Sequence, residues 1–81
     1  MAEDIIRRQE EIEYRILEAI LEESGGNDMT YVEQQTIADK TGIDFAEITR
    51  RTGPMMNKGL IKGLFFKYAI TEYGIEYLKG Y

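Results

Sequence analysis

Apolar residues recur with a helical period through the first third of the chain. Between about residues 4 and 23 they return at spacings of seven, four and three, as at Ile5, Ile12, Ile16 and Ala19, and charged residues fill the positions between them. An α-helix places such residues on one face, so the pattern predicts a long N-terminal helix. Ile5 and Ile6 lie in its more charged first part, where they form either a frayed end or an arm that pairs with a second copy.

A second, shorter helical pattern covers about residues 31–40. Thr30 and Glu33 have the spacing of a capping box, in which each side chain accepts a hydrogen bond from the other residue's backbone N–H. The alternative is a short strand around Met29 and Tyr31, which would move the start of the helix towards Glu33.

The third helix has the clearest predicted start, at about residue 44. Asp44 is a good N-cap residue and Glu47 completes a capping box. Ile43 and Ile48 stand at the two positions of a hydrophobic staple, which fixes the angle at which the chain enters a helix. These signals together predict a helix that runs to about residue 58.

Pro54 interrupts this third helical pattern. A proline inside a helix removes one backbone hydrogen bond and clashes with the preceding turn, at a cost of about 3 kcal/mol. Gly53 lowers the helix propensity further. We therefore expect a kink or break, with residues 44–52 as one helix and residues 55–58 as a separate turn; the alternative is a gently bent helix.

After residue 59 the apolar pattern becomes that of strands. Residues 60–70 are rich in apolar and aromatic side chains and predict a tight β-hairpin. Strand alternation would send Leu64 and Phe66 to one face and Phe65 to the other. These side chains either pack against the first helix or form a surface for a partner or a second copy.

A final helix is expected at about residues 72–79, capped by Thr71. The chain of 81 residues is long enough for one core only, so residues 1–81 are expected to form a single domain. The predicted fold is mainly α with a small β-hairpin.

Composition narrows the classes of function. The chain has no Cys and no His, which excludes a disulfide framework, a thiolate zinc site and the usual general base at neutral pH. No cofactor motif is present, so we expect a binding module rather than an enzyme, without a metal or cofactor. No apolar run approaches the ~18 residues of a membrane span, and no signal-peptide pattern opens the chain. We expect a cytoplasmic protein.

The formal net charge of −5 is unevenly distributed. Residues 1–32 carry nine acidic residues against three arginines, whereas residues 33–67 carry six basic residues against four acidic ones. The middle of the chain is therefore the part best suited to a polyanion, because local potential decides which face meets it.

Four short segments, in this order and spacing, resemble the winged helix-turn-helix family of transcription regulators. They are TIADKTGI at residues 36–43, ITR at 48–50, KGLI at 58–61 and AITEYG at 69–74. The resemblance implies a three-helix core, a helix-turn-helix over about residues 31–58 and a short wing over about residues 60–70. It also implies sequence-specific binding of double-stranded DNA, with the third helix in the major groove.

Helical geometry selects the side chains that would meet DNA. With Ile48 directed at the core, the opposite face of the third helix carries small and polar residues. Arg50 would contact a base edge or a phosphate, and Arg51, which points to the side, a phosphate at the groove wall; the alternative is that both only solvate an exposed helix or pair with Glu47. The expected DNA contacts are Ala46, Thr49, Arg50, Arg51, Gly53 and Asn57, with Lys40, Lys58, Lys62 and Lys67 on phosphates.

A homodimer is expected from the surplus length of the first helix and from the apolar wing. The side chains assigned to a dimer or partner interface are Ile5, Ile6, Leu64, Phe65 and Phe66. The alternative function is a protein-interaction winged helix domain, which would use the apolar wing and the acidic first helix in a larger assembly.

Overall fold

Helix α1 (Ala2–Ser24) runs along one side of the molecule and supplies much of its core. In this computed structural model the backbone is described for residues 2–80 and the side chains for residues 10–80. Ile16, Leu17 and Ile20 of α1 are fully buried, as the apolar pattern predicts. The acidic side chains Glu18 and Glu22 lie on its exposed face.

Three further helices and three short strands follow α1. The fold is therefore mainly helical with a small antiparallel sheet, in which β3 is the central strand and the order is β1–β3–β2. In chain order the elements are β1 (Val32–Glu33), α2 (Gln34–Thr41), α3 (Phe45–Asn57), β2 (Ile61–Leu64), β3 (Lys67–Ile70) and α4 (Glu72–Lys79).

The sheet has three strands and not the two of the predicted hairpin, because β1 pairs with β3. Val32 pairs with Tyr68 of β3 and is buried, so tertiary pairing holds this segment extended. Helix α2 consequently begins at Gln34, and the N-cap residue Glu33 makes no capping hydrogen bond. The predicted capping box between Thr30 and Glu33 is wrong, and the alternative of a strand before a later helix start is close to what is observed.

The core lies between α1, the α2–α3 pair and the inner face of the sheet. It combines apolar side chains from α1, α2 and α3 with others from the strands, and Ile12, Ile75 and Leu78 pack against its edge. Its fully buried large apolar side chains are Ile16, Leu17, Ile20, Ile37, Ile48, Met55, Leu60 and Ile70.

A tight turn sets α3 across α2. Gly42 ends α2 with φ 73° and donates its N–H to the carbonyl of Ala38 at 2.9 Å. This left-handed conformation is the one that glycine adopts without a Cβ clash. Asp44 is the N-cap residue of α3, but its side chain makes no capping hydrogen bond, so the predicted capping box is not formed. Ile43 and Ile48 are both buried.

Helix α3 continues through Pro54 to Asn57, so the predicted break is wrong. Proline disfavours a helical conformation in the residue before it through a clash with that residue's Cβ. Gly53 has no Cβ, which relieves the clash. The hydrogen bonding resumes directly, because Lys58 N–H donates to the carbonyl of Pro54 at 3.0 Å. The burial of Met55 then anchors the last turn.

The hairpin and α4 follow the predicted order. β2 and β3 pair from Ile61 opposite Ile70 to Leu64 opposite Lys67, which leaves two residues for the turn. Thr71 Oγ1 then accepts a hydrogen bond from Gly74 N–H at 2.9 Å and caps α4, as expected from its position.

Candidate functional site

One face of α3 is buried and the opposite face is exposed to solvent. Ile48, Thr52 and Met55 form the buried face. The opposite face, called here the free face of α3, is lined by residues that are exposed except for the half-buried Gly53. Its members are Ala46, Thr49, Arg50, Gly53 and Asn57.

Glu47 binds the two arginines of α3. Its carboxylate accepts a hydrogen bond from Arg50 Nε at 3.0 Å and lies 3.6 Å from an Arg51 terminal nitrogen. The hydrogen bond from Arg50 is the main reason that the pKa of Glu47 lies below its ordinary value. Arg50 extends into solvent with 70% of its side chain exposed, whereas Arg51 is only 20% exposed. Arg50 is therefore the more accessible cation.

Two of the lysines assigned to phosphate contacts are bound to carboxylates of α1. Lys40 pairs with Glu22 at 3.1 Å and with Glu23 at 3.4 Å, and the hydrogen bond to Glu22 is the largest cause of its raised pKa. Lys58 donates to Glu13 at 2.8 Å. The positive charge of the segment from α2 to the end of α3 is thus partly neutralised by α1.

Lys62 and Lys67 differ from those lysines. Among the side chains of residues 10–80, neither has an ion-pair partner within 4.0 Å. In an antiparallel pair, opposed residues share a face, as do residues two apart on a strand. The register therefore places Lys62, Leu64 and Lys67 on the same face of the hairpin.

A buried polar network joins α2, α3 and β3. The Tyr68 hydroxyl donates to Gln34 Oε1 at 2.8 Å and lies 3.1 Å from Thr52 Oγ1. Gln34 Nε2 donates to Thr49 Oγ1 at 2.7 Å and to the carbonyl of Phe45 at 3.0 Å. The Thr49 hydroxyl in turn donates to Phe45. Thr49 therefore helps to hold α3 in place, a role that the sequence did not indicate.

The hairpin ends in three exposed apolar residues, Leu64, Phe65 and Phe66, called here the hairpin tip. Their exposed fractions are 64%, 84% and 56%. The expectation that they pack against the first helix is wrong, because all three are exposed. The predicted alternation of strand faces is also wrong, because Phe65 and Phe66 form the turn itself. The ring of Phe66 contacts that of Phe45 in α3, at 5.8 Å between ring centroids.

The structure thus brings the hairpin tip next to the start of α3. A shallow cleft lies between them. Its lining includes Phe45, Phe65, Phe66, Gln35 and Lys67. Lys40 and Lys58 instead contact α1. Ile5 and Ile6, assigned to a dimer or partner interface, lie in α1, but they fall outside residues 10–80, whose side chains are described.

Glu13 is a further residue that the sequence interpretation missed. It is one of the charged residues between the apolar positions of α1, yet it is 5% exposed and bound to Lys58. Its spacing of four and seven residues from Leu17 and Ile20 is the signal that could have placed it on the buried face.

Within residues 10–80, no three acidic side chains come together in an arrangement that could hold a metal ion. None of the described helices combines the length and the apolar character needed to cross a bilayer. Comparison with protein-family models, with curated proteins and with solved structures finds no match to this chain.

Proposed function

We propose that the chain is a winged helix domain that binds double-stranded DNA as a small transcription regulator, with α3 in the major groove. The observation that carries the proposal is the free face of α3, from which Arg50 projects with 70% of its side chain exposed. The order of the elements, with a hairpin after α3 and an additional strand before α2, agrees with this assignment.

The shape of α3 suits a groove. Its 13 residues form a helix about 20 Å long, and a helix with its side chains is about as wide as the major groove. The free face carries Ala46 and Gly53, whose small size permits a close approach to the bases. Arg50 and Asn57 are the side chains there that can hydrogen-bond a base edge or a phosphate.

One copy of the domain has few cations available to DNA, so we expect its affinity for DNA to be modest. Arg50, Lys62 and Lys67 are the cations near the free face and the hairpin tip that are available to phosphates. The ion pair between Arg50 and Glu47 does not remove Arg50 from this group, because exposed ion pairs are weak and readily exchanged. A second copy of the domain would double the number of phosphate contacts and raise the affinity accordingly.

The proposal is tested by titrating a fluorescent mixed-sequence duplex with the wild type and with the variants Arg50→Ala and Lys79→Ala. Lys79 lies on α4, is exposed and carries the same charge, so it is the matched control. We expect Arg50→Ala to weaken binding by about 1–3 kcal/mol if Arg50 contacts a base, or to reduce the salt slope by ~1 if it contacts a phosphate. Equal effects of the two variants would contradict the assignment of α3.

Glu47→Gln provides a variant with the opposite expected effect. It removes a negative charge from the side of α3 and frees Arg50, so we expect tighter DNA binding at low salt. Unchanged or weaker binding would contradict a duplex that lies against this side of α3.

The second candidate function is binding of a protein partner through the hairpin tip. The observation that favours it is the exposure of three consecutive large apolar side chains, since apolar patches on small domains often mark protein interfaces. Failure of the wild type to bind DNA at ~50 mM salt would favour this function over DNA binding.

A further inference from the structure

Phe65 is the most exposed large apolar side chain among the described residues, at 84%. It occupies the end of the hairpin, beyond the last paired residues, Leu64 and Lys67. We propose that Phe65 is a wedge that inserts between adjacent base pairs of duplex DNA from the minor groove and bends the duplex. This inference rests on the proposed function and assigns the hairpin tip a role in it.

The turn holds Phe65 in an unfavourable backbone conformation. Phe65 and Phe66 have φ of 51° and 60°, and these are the only non-glycine residues with positive φ in residues 2–80. A two-residue hairpin turn with positive φ at both positions favours Asn and Gly, because bulky side chains are strained there. Strained residues of this kind cluster at functional sites, so two phenylalanines at these positions point to a use for their side chains.

The tip is braced from two directions. The ring of Phe66 packs against Phe45 at the start of α3, with the ring planes inclined at 39°. Gly63 lies directly against the ring of Tyr68, its partner across the hairpin, where a Cβ would clash, so the two strands below the tip are closely packed. Phe65 is thus presented on a short, supported hairpin beside α3 and not on a long loop.

The charges around the tip complement a nucleic acid. Lys62 and Lys67 lie on the same face of the hairpin as Leu64, so that face offers two cations to the phosphates near an inserted ring. Glu33 lies opposite Lys67 in the register of β1 and β3 but is not within ion-pair distance of it. Proteins that bend DNA from the minor groove combine cations with an inserted Phe, Leu or Ile in this way.

DNA is the occupant that the surroundings favour. The tip adjoins the free face of α3 through the contact between Phe45 and Phe66, so one duplex could meet both surfaces. A wedge at the minor groove and a helix in the neighbouring major groove would engage the same molecule. A kink made by such a wedge bends the duplex towards its major groove and lets the bent duplex cover more of the protein surface.

The variant Phe65→Asn tests the wedge without endangering the fold, because Asn tolerates positive φ at a hairpin turn. Tyr73→Asn is the matched control, since Tyr73 is an exposed aromatic residue on α4. The probes are a duplex with a donor and an acceptor fluorophore at its two ends, and the same duplex with 2-aminopurine at successive steps. Thermal unfolding of each variant verifies that it is folded.

We expect the wild type and Tyr73→Asn to increase energy transfer between the duplex ends and to raise 2-aminopurine fluorescence at one step. We expect Phe65→Asn to lose both signals and to bind about tenfold more weakly, the effect of losing one base–aromatic stack. It should unfold at the same temperature as the wild type or a higher one.

Three results would overturn the proposal in distinguishable ways. If Phe65→Asn bends and unstacks the duplex like the wild type, the wedge is wrong and the DNA-binding function stands. If the wild type is a dimer by sedimentation and Phe65→Asn is a monomer that still bends DNA, the tip is an interface between copies. If the wild type binds no DNA at ~50 mM salt, the proposed function itself fails.

Discussion

The buried network of Gln34, Thr52 and Tyr68 makes a quantitative prediction for the variant Tyr68→Phe. The substitution removes one hydroxyl group and keeps the ring, which is 5% exposed. Gln34 Oε1 then loses the hydrogen bond of 2.8 Å that satisfies it, in a side chain that is 1% exposed. Thr52 loses its contact with Tyr68 but keeps the carbonyl of Thr49 as an acceptor.

The expected loss of stability follows from the unsatisfied acceptor. A buried polar group without its partner costs about 1–3 kcal/mol, so we expect the free energy of unfolding to fall by about 2 kcal/mol. For a domain of this size that is a decrease of about 8–16 °C in Tm. In urea, with a slope of about 1–2 kcal/mol/M, the midpoint should fall by about 1–2 M.

The assay is urea unfolding followed by far-UV circular dichroism, with Tyr73→Phe as the control. Tyr73 is 59% exposed, so its hydroxyl is available to water and its removal should change the stability by less than about 0.5 kcal/mol. A Gln34→Met variant completes a double-mutant cycle, in which we expect a coupling of about 1 kcal/mol with Tyr68→Phe. A stability of Tyr68→Phe within about 0.5 kcal/mol of the wild type would refute the network as a determinant of the fold.

Two further predictions concern α3. Pro54→Ala should raise the free energy of unfolding, measured by urea unfolding, by about 2 kcal/mol. The alanine restores an N–H for the carbonyl of Arg50 and removes the proline ring from the helix. A loss of stability would contradict this prediction. The lowered pKa of Glu47 means that its ion pairs stabilise the fold above the ordinary carboxylate pKa and lose this effect as the pH falls through the lowered value. The wild type should therefore exceed Glu47→Gln in stability at pH 7, and the difference should shrink below about pH 4.5; a constant difference would contradict it.

Local sequence signals were sufficient to predict the features that depend only on residues close together along the chain. The long stripe of α1, Gly42 at the end of α2 and Thr71 at the start of α4 are each determined by residues within a few positions along the chain. The burial of Ile48 and the exposure of Arg50 follow from the period of α3 alone.

Other features depend on contacts between distant parts of the chain. Strand β1 has only two residues and is held by Tyr68, so no local signal marks it and the start of α2 was misplaced. The ion pair between Glu13 and Lys58 joins residues 45 positions apart and removes this lysine from the cations that are free for a phosphate. Phe65 was assigned to a strand face because alternation does not indicate where a two-residue turn interrupts it.

The most direct test of the central claim is the salt dependence of DNA binding by the wild-type chain. Fluorescence anisotropy of a mixed-sequence duplex, measured from about 50 to 200 mM salt, gives the number of phosphates contacted from the slope of log K against log salt. With Arg50, Lys62 and Lys67 as the available cations, we expect a slope of about −3 for each copy bound. A slope near zero, or no binding at about 50 mM salt, would contradict DNA binding through α3 and the hairpin.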